Sequence, residues 1–337
     1  MVKVGTLIPR MYTPGARDPW YKMNEEARLM EDMGFDFTTV GQHSFTPDFP
    51  YPTPLTTLAW LAARTTRLRL VTGIVILPLY SPVAIAEQVA ELAELSGGRI
   101  VLGVGTGYRK YEFDAYGIDM KTRGKRMDEA VQLLQQVFQT GEFDFSGEFY
   151  RVPKALLCPK PDVPPPIWIG GTSAAALRRA ARWADGVLTE NMSTLKVMSA
   201  HIARYRALAR EAGRQPGSVV LYRNAYLSTS RSDIEENFIP SALKEHLGYR
   251  SHGAAENVED ENRFYARAAL GEKISLEEMT NGRFIAGNPE QVIQQIKAWE
   301  QATGMTHLNL MGIGPQRTDE ERRKTLELWG REVIPYI

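Results

Sequence analysis

With 337 residues, 43% of them apolar, the chain can bury a large core, and it exceeds the usual size of one domain unless the fold is a large closed barrel. Its 40 Lys plus Arg balance 40 Asp plus Glu, so no global field recruits nucleic acid or an anionic membrane, and neither is an expected partner. A single cysteine, Cys158, excludes an intramolecular disulfide framework and a cysteine-held metal cluster, and fits a cytoplasmic location.

The N-terminus enters a strand-like run, Val2 to Pro9, with no basic region or cleavage site, which predicts an unprocessed, soluble protein. From there short β-branched runs alternate with segments of helical period. The pattern predicts a helix over Trp20 to Met33, a strand over Phe35 to Val40, a helix over Leu55 to Thr65 and a strand over Leu68 to Ile76. That strand begins the longest apolar stretch, Leu68 to Tyr80, which is too short to span a bilayer and is broken by Arg69, Gly73 and Pro78. A helix over Pro82 to Leu95 leads to a strand over Ile100 to Gly103 and a helix over Arg123 to Gln139. Gly141 to Val152, with Phe143, Phe145, Phe149 and Tyr150 around Gly147, reads as a small hairpin before a proline-rich connection.

Strands over Ile167 to Gly170 and Gly186 to Thr189 flank a helix over Ser173 to Trp183; a helix over Leu195 to Ala212 then leads to a strand over Val219 to Ser228. The stretch from Ser230 to Ala286 exceeds what a minimal barrel needs and shows few helical periodicities, so residues 230–286 are expected to form a mobile substrate lid. The chain closes with a helix over Pro289 to Thr303, a strand over Thr306 to Met311 and a helix over Asp319 to Val333. Eight strands, each followed by a helix, predict a (β/α)8 TIM barrel: one domain over 1–337, with the lid inserted after the seventh strand. A doubly wound open sheet would usually divide into two domains, and no linker or composition shift divides this chain.

Barrel active sites lie at the C-terminal strand ends, and two of these ends are rich in glycine. Gly103, Gly105 and Gly107 leave the mouth of one strand bare, with Thr106 and Tyr108 among them; their G-x-G-x-G spacing is not the dinucleotide fingerprint. In the other, Gly170 and Gly171 precede Thr172 and Ser173 at a helix start, an arrangement that suits a phosphate as well as simple helix capping. His43 is the histidine at an early strand end, placed to pack a loop or to act as acid, base or hydrogen-bond donor. The five histidines show no metal-site spacing, there is no G-x-S-x-G elbow, and Cys158 sits among prolines without a base. No metal is expected, and a bound cofactor is left to supply the reactivity.

These residues resemble a known family. Leu95-Ser-Gly-Gly-Arg99, Leu102-Gly-Val-Gly-Thr-Gly-Tyr108, Glu112-Phe113, Tyr116-Gly117, Arg123 to Glu129, Pro164 to Thr172, Ala180 to Gly186, Gly287 to Glu290 and Glu332 to Pro335 are similar to segments of the bacterial luciferase-like flavin-dependent oxidoreductases. The resemblance covers most of the chain and implies a barrel with an insertion, a flavin or deazaflavin ring across the strand ends, and a homodimer. It places His43 beside the ring and Gly73-Ile74 in a bulged strand beneath it, which relatives build with a cis peptide. Thr106 stands where many enzymes using reduced FMN carry a phosphate-binding arginine, and Gly41-Gln42 replaces the acidic residue that often precedes the histidine in deazaflavin enzymes.

Three functions follow as expectations. The first is a flavin-dependent monooxygenase that uses reduced FMN, supplied by a flavin reductase or another source, and O2 to oxygenate a small organic substrate. The second is an oxidoreductase using the deazaflavin coenzyme F-420 to move hydride to or from an alcohol, aldehyde or unsaturated bond. The third is a non-catalytic flavin-binding protein. Met11 and Tyr12 after the first strand, with Tyr249, Arg250 and Arg283 of the insertion, are the expected substrate contacts, the arginines meeting an acidic group.

Overall fold

Eight parallel strands, Lys3–Leu7, Phe37–Val40, Arg69–Thr72, Ile100–Gly105, Ile167–Gly170, Gly186–Leu188, Ser218–Leu227 and His307–Met311, follow one another around a barrel. Each pairs with the next, and the eighth returns to the first with Lys3 opposite His307, so the sheet has no free edge. The computed structural model describes residues 1–8, 19–45, 53–251, 259–311 and 318–337.

Side-chain alternation divides the core into two layers. Phe37, Val71, Val101, Trp168, Leu188, Val220 and Tyr222 fill the barrel interior. Their neighbours Leu70, Leu102, Ile169 and Leu221 face outward and pack with Val4 and Leu308 under the helices Pro19–Asp32, Pro54–Ala62, Pro82–Ser96, Arg123–Thr140, Ala174–Trp183, Leu195–Glu211, Pro289–Thr303 and Asp319–Glu332. Two of these helices start on reciprocal capping boxes, Asn288 with Gln291 and Thr318 with Glu321. Among the described residues no helix is long and apolar enough to cross a membrane.

The expected hairpin forms from Glu142–Ser146 and Arg151–Leu156. Glu129 fixes its turn by accepting from the amides of Glu148, Phe149 and Tyr150 at 2.8, 2.9 and 3.1 Å. The insertion differs from its expected irregular character. It contains the helices Ile239–Ser251, Glu259–Ala269 and Leu276–Thr280, and a strand, Ile285–Gly287, that pairs in parallel with the far end of the seventh barrel strand. Ile234, Phe238, Ile239, Ala242, Phe264, Tyr265, Ile274, Met279, Phe284 and Ala286 form its own core, which reaches Met192 of the barrel. Burial of these side chains against one another gives the segment a packed interior that its sequence pattern hides.

Candidate functional site

The C-terminal strand ends enclose a cavity of about 340 Å3, a size that accepts a small-molecule ligand. Its wall takes Leu7, Gly41 to His43, Gly73, Ile74, Ile76, Gly105 to Tyr108, Gly170, Gly171, Leu188 to Met192, Tyr222, Met311 and, from the insertion, Tyr249. The third strand breaks after Thr72 and resumes at Val75–Ile76, and the peptide between Gly73 and Ile74 is cis, as the family resemblance implies. Gln42 holds this bulge: its Oε1 accepts from Ile76 N at 2.8 Å while its Nε2 donates to the Tyr80 hydroxyl.

Ile74 forms a shelf between the fourth and fifth strands. A Cβ added at Gly105 would stand 2.9 Å from Ile74 Cδ1, and one at Gly170 would stand 3.0 Å from its Cγ2. The two glycines therefore admit the Ile74 side chain, and the bare backbone that the sequence offers to a cofactor is shared with this residue. Below, the Tyr222 hydroxyl lies where a Gly73 side chain would be, and burial pushes its phenol above the ordinary value.

His43 lines the cavity with its Nδ1 3.6 Å from Glu112 Oε1 and its ring edge-on to Tyr108. The Glu112 side chain is 1% exposed, and the same oxygen accepts from Ser44 N at 2.9 Å, so one carboxyl ties down the loop carrying the histidine. Gly107 and Tyr108 continue the wall, and burial raises the Tyr108 phenol. Glu190 closes the opposite side, its carboxylate accepting from the amides of Met192 and Ser193.

Gly171 lines the cavity with a φ of +115°. Thr172 and Ser173 follow it at the rim, outside the wall itself, and Ser173 Oγ accepts from Ala176 N at 3.2 Å to cap the helix Ala174–Trp183. Arg250 and Arg283 also stand outside the wall. Arg250 bonds Asn262 Oδ1 and lies over the Tyr265 ring, and Arg283 lies 4.0 Å over the Phe264 ring, so both face the core of the insertion. Met11 and Tyr12 lie outside the described residues.

Sequence reasoning gave no role to Glu112, Glu190, Asn191 or Tyr222. The signals were the Glu112-Phe113 pair within the family-like segment and, for Glu190 and Asn191, their place just past the predicted strand Gly186 to Thr189 at the barrel mouth. Among the described residues no cluster of His, Cys, Asp and Glu is arranged to hold a metal ion. The residues present do fit a flat ring with a phosphate-bearing chain: an aliphatic shelf flanked by glycines, and amides at the rim by Gly171 for the anion. The described wall contains no Lys or Arg, so backbone rather than a cation would meet the phosphate there.

The profile of the luciferase-like monooxygenase family matches residues 3–307. An uncharacterised protein of Mycobacterium tuberculosis is 37% identical over 183 residues, which make up 54% of this chain and 63% of that protein's own length. An F-420-dependent glucose-6-phosphate dehydrogenase of Nocardia farcinica is 27% identical, with 92% of each chain covered. The crystal structure of a monooxygenase from Streptomyces bottropensis superposes with a TM-score of 0.79 at 25% identity, covering 99% of both chains.

Proposed function

The chain belongs to the luciferase-like monooxygenase family, a family of oxidoreductases, and from that premise we propose that it is a flavin-dependent monooxygenase using reduced FMN and O2 on a small, largely apolar organic substrate. The Ile74 shelf carries this reading: its position between Gly105 and Gly170 offers an aliphatic face to a tricyclic ring where no neighbouring side chain intrudes. Gly107, Gly171, Thr172 and Ser173 would hold the phosphate-bearing chain at the rim. Bound reduced flavin supplies the electrons that activate O2.

The chain's own residues do the rest. Leu7, Ile74, Ile76, Leu188, Met192 and Met311 make the wall apolar, which keeps water from the reacting atoms. His43, steadied by Glu112, donates or accepts a hydrogen bond at the ring or substrate. Tyr249 brings the insertion to the mouth, in keeping with a lid over residues 230–286. A separate reductase or another source provides the reduced cofactor, and the enzyme works as a homodimer. The cavity wall, with Glu190 present and Arg250 and Arg283 turned away, suits a neutral substrate better than the acidic one expected from the sequence.

One observation favours a second reading. The His43–Glu112 pair is a ready proton-handling group, which hydride transfer from coenzyme F-420 to an alcohol, aldehyde or unsaturated bond requires, and the Nocardia relative is F-420-dependent. Titration of the same apoprotein with FMN and with coenzyme F-420, each oxidised and reduced, separates the two. Binding of F-420 alone would replace the first reading with the second, and binding of neither would end both.

A further inference from the structure

The lid helix Ile239–Ser251 meets the cavity wall through a buried polar cluster. Asn224 Nδ2, on the seventh strand, donates to Glu245 Oε2 at 3.0 Å. Asn224 Oδ1 accepts from Asn191 Nδ2 at 2.7 Å and lies 2.8 Å from His246 Nε2. His246 Nδ1 lies 2.6 Å from the Tyr265 hydroxyl, and the ring stacks on Phe284. A neutral His246 satisfies these contacts by donating from Nε2 to Asn224 and accepting at Nδ1 from Tyr265. Asn191 belongs to the cavity wall, and so does Tyr249, one helical turn beyond Glu245.

Charged and titratable groups approach from each side. Arg223 of the seventh strand, Arg283 ahead of Phe284 and Arg250 of the same helix face His246, and with burial they push its pKa down to about 3. Each arginine already lies over an aromatic ring, respectively Trp299, Phe264 and Tyr265. One oxygen of Glu190, Oε2, accepts from the backbone amides of Met192 and Ser193, and Tyr265 of helix Glu259–Ala269 touches His246. Glu245 is different: its half-buried carboxyl accepts from the Asn224 amide, and no described cation forms an ion pair with it.

We propose that Glu245, His246 and Asn224 are positioning residues that latch the lid helix onto the cavity wall, and that the latch loosens when Glu245 gives its proton to solvent. The proposal deepens the reading of residues 230–286 as a lid and rests on it. Burial pushes the Glu245 carboxyl from 4.5 up to about 7. A carboxyl raised in the docked state favours docking fully below its ordinary value; that contribution fades as pH rises to about 7 and is gone above it.

Hydrogen exchange at pH 5 and pH 8, corrected for the intrinsic rate at each pH, tests the latch on the full chain without cofactor. Protection of the amides of residues 239–251 should fall about seventy-fold from pH 5 to pH 8, as those two values imply, while strand Ile100–Gly105 stays unchanged. Glu245→Gln keeps the acceptor for Asn224 and cannot ionise, so at pH 8 it should retain the protection that the wild-type chain shows at pH 5. Protection independent of pH in the wild-type chain, an equal fall in E245Q, or a fall shared by the barrel strand would each overturn the proposal. If E245Q does not fold, the wild-type profile with its barrel reference decides alone. Failure to bind either cofactor would sink the proposed function and leave this measurement standing.

Discussion

Gly105→Ala puts the Ile74 shelf to the test. The added Cβ would stand 2.9 Å from Ile74 Cδ1 and 3.1 Å from its Cγ1, whereas carbon atoms pack at about 3.5–4.0 Å. Ile74 must therefore move by roughly 0.6 Å or more, and the open side left to it is the cavity where the ring would lie, so the displaced side chain would cost the ring contacts about 1–2 kcal/mol. Because the shelf is the proposed seat of the ring, the cofactor Kd should rise about tenfold for Gly105→Ala and more than about a hundredfold for Gly105→Val. Absorbance titration with FMN and with coenzyme F-420 measures this, with far-UV circular dichroism and thermal melting to show that the variants fold. Gly248→Ala is a matched control, since its Cβ would meet nothing within 4 Å and it lies away from the shelf; its affinity should equal that of the wild-type chain. A folded Gly105→Val protein with undiminished affinity would refute the seat on Ile74.

His43→Ala should slow turnover by about ten- to a thousandfold with little change in cofactor Kd, whereas a histidine that only packs the loop would lower the melting temperature and leave turnover per folded molecule intact. Gly171→Val places a branched side chain at a φ of +115° on the rim and should weaken FMN by more than about tenfold while weakening riboflavin, which lacks the phosphate, much less. Equal losses for both ligands would remove the phosphate from that rim.

The barrel was legible because each strand is a short β-branched run followed by a helix with clear start and stop residues, as in Ile167–Gly170 followed by the capped Ala174–Trp183. The glycine-rich strand ends were legible because a bare strand mouth calls for glycine, His43 from its place at a strand end, and the bulge at Gly73-Ile74 from the family resemblance. Partners supplied by distant segments left no such trace. Glu112 meets the His43 loop across 68 residues of sequence, and Asn224 meets Glu245 and His246 only when the insertion folds back. The helix Ile239–Ser251 was hidden because its inward positions include His246, a polar residue that breaks the apolar period, as well as Ile239 and Ala242. Arg250 and Arg283, whose charge suggested a ligand, have guanidinium groups that cover aromatic rings within the insertion, a placement that depends on distant segments and that charge alone does not reveal.

Oxygen uptake by the protein loaded with reduced FMN, set beside the same protein loaded with reduced coenzyme F-420, tests the central claim most directly. For an FMN-dependent monooxygenase, O2 should be consumed in step with reduced FMN, about one for one, and reduced coenzyme F-420 should drive no oxygen uptake. Reduced FMN that remains unbound or is oxidised no faster than in buffer, together with hydride transfer from reduced F-420 to an aldehyde or unsaturated acceptor under anaerobic conditions, would contradict it.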